Sequence, residues 1–118
     1  MEFIQINTQH FAGVIRSVTY GKEPYSWALL EVMSVCNVVD RYGTRLAEKV
    51  YCRVIVQGTE NVKALRPRMK EGHYVYAMGQ LAPIRFAAAE SAQKGNALLA
   101  ADIKISQQPV EEWRKIHG

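Results

Sequence analysis

The sequence holds only two cysteines, Cys36 and Cys52. That is too few for a disulfide framework, and both sit in apolar stretches where a small buried side chain is the simplest role. His10, His73 and His117 stand far apart in the chain, and none makes a ligand-spaced motif with a cysteine or carboxylate. No metal and no cofactor is therefore expected. There is no glycine-rich phosphate loop and no Gly-x-Ser-x-Gly turn. With no catalytic constellation in view, the expectation is a protein that is not an enzyme. No run is long and apolar enough to span a bilayer. The segment MEFIQINTQH has no basic region followed by a long apolar run. A membrane partner and a signal peptide are thus not expected, and a reducing, cytoplasmic setting is. Internal repeats and low-complexity segments are also lacking.

What is present suits a single domain. The 118 residues are 48% hydrophobic, enough for a real core. A net charge of +4 and an isoelectric point near 9.2 suit a polyanionic partner.

The chain is organised around Val50–Leu81. Over Glu48–Gln57, Val50, Cys52, Val54 and Val56 alternate with Tyr51, Arg53, Ile55 and Gln57. This period of two gives a strand with one apolar face. The other face sets the flat ring of Tyr51 beside the charge of Arg53, a pairing that suits a nucleic-acid strand. After Gly58, Thr59 is the expected N-cap, Glu60 suits the first turn, and Val62, Leu65 and Met69 form one helical stripe. Pro67 should kink or end that helix, and Gly72 turns the chain into a further strand, His73–Leu81. Strand, short helix, strand in the second half of a small basic chain predicts an all-β, five-stranded OB-fold barrel with one short helix between strands 3 and 4.

The remaining segments fit that plan. His10–Tyr20 reads as the first strand, with Gly13 marking a bend or a close backbone approach. Tyr20–Tyr25 is turn material. Ser26–Cys36 reads as the second strand, with Ala28, Leu30, Val32 and Cys36 inward and Trp27, Leu29, Glu31, Met33 and Val35 outward. Such an apolar outer face has two readings: a base-stacking platform led by Trp27, or a subunit interface through Leu29, Met33 and Val35. Self-association as a dimer or tetramer is expected on that ground. Asn37–Glu48 reads as a connection turning at Tyr42–Gly43. Arg41, Arg45 and Lys49 make it either a cationic loop that folds over a nucleic-acid strand or an ordinary solvated hairpin. Leu81–Gly95 joins the last two strands, with Arg85 and Phe86 on an exposed hairpin and Ala87–Ala89 and Ser91–Gln93 mobile. Asn96–Ser106 is the fifth strand. The domain is thus residues 1–106. Residues 107–118 form a short tail in which Val110, Trp113 and Ile116 suggest one turn or two of helix.

VYCRVIVQG, a helix and then EGHYVYAMGQL resemble the bacterial single-stranded DNA-binding protein family. Tyr51, Arg53, Val54, Ile55, Gly58, Gly72, Val75, Tyr76, Gly79 and Leu81 match its third- and fourth-strand patterns. The resemblance implies sequence-nonspecific binding of single-stranded DNA in replication, recombination or repair. Phosphates would meet Arg41, Arg45, Lys49, Arg53 and Arg85. Bases would stack on Tyr51 and Phe86, with Trp27 and Tyr76 as further rings. Phe86 takes its role from the position where the family carries a stacking tryptophan. Two departures stand out: Gln57 replaces a common aromatic, and the tail lacks the acidic tip through which bacterial members recruit partner enzymes. The run Val54–Asn61 also resembles the PriB-type primosomal replication proteins. That similarity implies an alternative role, in which the domain binds single strands in order to dock a helicase or other replication or recombination proteins.

Overall fold

In the computed structural model the described residues are 5–88 and 94–110, without the Phe86 side chain. The order of elements is β1 (Gln9–Tyr20), β2 (Trp27–Val39), β3 (Arg45–Gln57), α1 (Thr59–Leu65), β4 (His73–Pro83), α2 (Ile84–Ala87) and β5 (Asn96–Pro109). The strands close into a barrel in the order β1-β2-β3-β5-β4. All neighbours are antiparallel except β3 and β5, which meet in parallel at Val54↔Leu98 and Ile55↔Leu99. This is the five-stranded OB barrel that the sequence predicts.

Closure depends on β1, which pairs with β4 through its first half and with β2 through its second. Gly13 lies at the changeover, and a Cβ there would collide with the Met33 carbonyl. The expected close backbone approach is therefore real. The inward faces supply the core: Ile15, Ala28, Leu30, Val32, Val54, Val56, Val75, Ala77, Leu98 and Ile105. Val62 on α1 and Met69 beyond its end close one end of it, with Leu65 packed alongside; the three expected residues pack there, but Met69 lies outside the helix. Gly58, not Thr59, occupies the N-cap, and no side chain caps the helix. The helix ends at Leu65, two residues before Pro67.

Several expectations need correction. β2 and β3 are longer than expected, pairing from Trp27↔Gln57 out to Val39↔Arg45. The residues expected to form a connection from Asn37 to Glu48 are mostly a two-stranded arm. Only its tip is a turn, in which Asp40 Oδ1 accepts the Tyr42 and Thr44 amides at 2.8 and 2.9 Å and Gly43 adopts φ 82°. Cys36 is exposed on this arm and Cys52 is half-buried, so neither is the fully buried side chain expected. The outer face of β2 is not open either. Trp27 and Leu29 pack with Ile55, Ile84, Ala87, Ala88 and Ala97 in a second apolar cluster. The β4–β5 connection folds back over the sheet, so Ala87 and Ala88 are packed, not mobile; residues 89 and 91–93 lie outside the described residues. β5 also runs to Pro109, which pairs with His73. The strand thus takes in the start of the expected tail, whose helix lies outside the described residues.

Candidate nucleic-acid interface

Cross-strand partners share a face, and alternate residues of a strand return to it. On β3 the pairs Glu31↔Arg53, Met33↔Tyr51, Val35↔Lys49, Asn37↔Ala47 and Val39↔Arg45 therefore line one continuous outer face. Arg45, Lys49, Tyr51 and Arg53 stand along it over about 27 Å. The same alternation that carries Val54 and Val56 inward sets these four outward. Tyr51 is 48% exposed and offers a ring between cations. Arg41 reaches over the ring of Tyr42 (4.9 Å to its centroid) at the tip of the arm, where Tyr42 is 77% exposed. The arm thus extends the cationic face well beyond the barrel.

At the other end this face is closed by the β4–β5 connection. Ile84 and Ala87 cover Ile55, and the Gln57 amide donates to the Ala87 carbonyl at 3.4 Å. Arg85 is exposed on α2. Arg53 has a task beyond charge: its guanidinium donates to the carbonyls of Lys94 (2.8 Å) and Asn96 (3.2 Å). It ties the start of β5 to β3.

Not every expected residue joins this surface. Trp27 is only 6% exposed, so the outward ring expected of it is corrected: its faces are used for packing. Leu29 and Met33 are buried too, at odds with their place in an open subunit interface, while Val35 stays exposed on the arm. Tyr76 pairs with Ala12 and Lys104 on the β1–β4–β5 wall. Its hydroxyl lies 2.6 Å from His10 Nδ1, away from β3. The expected stacking ring of Phe86 lies outside the described residues.

The structure adds two residues that the sequence did not single out. A bulge between Ile15 and Ser17 leaves one extra residue in β1. It swings Arg16 out of the alternation, so that its guanidinium sits 5.1 Å from the centroid of the Tyr51 ring and 3.4 Å from Glu31 Oε1. Tyr74, 46% exposed, lies in one cross-strand row with Val14, Met33 and Tyr51. No periodicity signals a bulge, and a row across four strands exists only after the barrel closes. Burial raises the Cys52 thiol pKa, opposed by a backbone hydrogen bond at Leu98 and the charge of Arg53. The thiol beneath this face is thus kept protonated.

No protein-family model and no curated protein sequence matches the chain. Solved structures do. The chain is similar to a Plasmodium falciparum SSB in complex with ssDNA at 13% identity and a TM-score of 0.65, covering 90% of this chain and 99% of that one. It is similar to the single-stranded DNA-binding protein from Thermus aquaticus, in a deletion-mutant form, at 17% identity and a TM-score of 0.60, covering 86% and 50%. The PriB protein from Ralstonia solanacearum aligns at 12% identity and a TM-score of 0.52, covering 85% and 97%. At these identities the likeness is one of fold, and the fold is the OB barrel.

Proposed function

We propose that this chain binds single-stranded DNA without sequence preference along the outer face of β3, coating and protecting strands opened in replication, recombination or repair. The observation that carries the reading is the row Arg45, Lys49, Tyr51 and Arg53 on one exposed strand face. Cations at that spacing track a phosphate backbone, while an exposed ring stacks on any base. The likeness in fold to the Plasmodium falciparum SSB solved with ssDNA supports it. Phe86 enters as a second stacking ring through the family resemblance, and Arg41 and Arg85 as flanking phosphate contacts. The aliphatic residues exposed on the arm, Val38, Val39 and Leu46 among them, are a surface on which self-association would rest.

Titration of labelled oligo-dT at several salt concentrations tests this. Tyr51→Ala should weaken binding by roughly 1–3 kcal/mol, and the loss should persist at high salt. Lys49→Ala should instead flatten the slope of log K against log salt by about 0.7. A wild-type slope near zero, or full affinity in Tyr51→Ala, would refute the reading. The alternative, docking of a helicase by a PriB-type domain, draws on the Val54–Asn61 run and on the fold likeness to the Ralstonia solanacearum protein. Retention of purified replication proteins on the immobilised chain separates the two.

A further inference from the structure

A second cationic–aromatic site lies at the closed end of the barrel, away from the arm. Arg66 is the residue at which α1 stops, its amide still bonded to the Val62 carbonyl at 2.9 Å, and Pro67 prevents the helix from continuing. Its guanidinium lies over two rings at once, 4.7 Å from the centroid of Tyr25 and 5.2 Å from that of Tyr20. The two rings meet edge to face at 6.0 Å. Tyr25 holds φ at 61°, a left-handed conformation that a bulky residue rarely adopts. Such outliers persist where the surroundings over-determine them, and they gather at binding sites. Beside this stack is an open hollow lined by Pro24, Tyr25, Thr59, Val62, Lys63 and Arg66. It combines an apolar floor, a hydroxyl, a planar cation backed by rings and an exposed lysine.

We infer that this hollow is a second contact for the same single strand, taking a nucleotide beyond those held on β3. The inference rests on the reading of β3 given above. The chemistry of the hollow is that of a nucleotide: Lys63 and Arg66 face a phosphate, and the guanidinium plane and the apolar floor face a base or sugar. An acidic peptide would use the cations but leave the planar stack without a role. β3 leads into α1 through Gly58; because the β4–β5 connection covers Ile55, a strand leaves the outer face of β3 near Arg53 and passes round that connection to reach Lys63. OB-folds occupy about 4–16 nucleotides. A strand near the short end of that range stays on β3, and one near the long end reaches the hollow.

Two oligo-dT lengths, about 6 and about 16 nucleotides, are titrated against wild type, Lys63→Glu and Arg66→Lys, with thermal melts to verify folding. Lys63→Glu should bind the short strand as wild type does. It should bind the long strand several-fold more weakly, with a salt slope flatter by about 0.7 for each phosphate released. Arg66→Lys keeps the charge but loses the plane, so it should weaken long-strand binding while leaving the salt slope unchanged. Equal long-strand affinity in wild type and Lys63→Glu overturns the inference. So does a poly-glutamate peptide that binds wild type and not Lys63→Glu while long-strand binding stays intact. Wild type that fails to bind the short strand overturns the β3 reading itself.

Discussion

At the scale of single residues, the outer face of β3 contains its own opponent. Glu31 is the cross-strand partner of Arg53 and the ion-pair partner of Arg16, so one carboxylate sits among the cations offered to phosphate. Both members of the Arg16–Glu31 pair are well exposed, and the pair contributes little to stability. Its larger effect is on a polyanion, which meets a repelling charge and an arginine already engaged. Glu31→Gln should therefore tighten oligo-dT binding by roughly 0.5–1 kcal/mol and leave the melting temperature nearly unchanged. Weaker binding would mean that Glu31 positions Arg16 over Tyr51 rather than competing for it. Tyr51 was legible in the sequence because a period of two marks its face. Arg16 was not, because a bulge breaks that period without leaving a trace in residue type.

At the scale of elements, the outcome turned on two segments without clear periodicity. Residues 37–48 are mixed and charged, and they read as a loop. They pair as strands because both faces of the arm stand in solvent, where alternation is not required. The turn at Asp40–Thr44 was legible through Tyr42–Gly43. Leu81–Gly95 read as an exposed hairpin because alanines carry no pattern. Its Ile84, Ala87 and Ala88 instead cover Trp27, Leu29 and Ile55, and this contact takes the start of the apolar outer face of β2 out of solvent. Ile84 is fully buried there. Ile84→Ala should cost about 2–5 kcal/mol in denaturant unfolding. A cost under about 1 kcal/mol would show that the connection is not packed as described.

At the scale of the whole molecule, stability should fall on the alkaline side. Burial raises the Tyr20 hydroxyl above its ordinary value of 10.0, and the nearby Arg66 charge opposes the shift. Cys52 is raised in the same way from 9.0. A raised pKa means that the folded state holds its proton longer than the unfolded chain does. Stability from these two groups is thus complete below pH 9 and is lost as pH climbs past 9.0 for Cys52 and past 10.0 for Tyr20 toward their raised values. Melting temperatures taken from pH 7 to 11 should decline over that upper range, and Tyr20→Phe should decline less steeply. A flat profile in wild type would contradict the burial of both groups. Among the described residues no helix is long and apolar enough to cross a membrane.

The barrel, the position of α1 and the outward face of Tyr51 and Arg53 follow from local patterns in the chain. Alternation, a proline and a few glycines are local signals, and they act through the geometry of neighbouring residues. That Trp27 is core, that the arm is paired, that Arg53 clamps the start of β5 and that Arg16 covers Tyr51 follow only from the closed barrel. Each of these joins residues distant in the chain, and each depends on which apolar surface is covered once the barrel closes. An outward residue on a strand is exposed only if no later segment folds over it, and local periodicity carries no information about that.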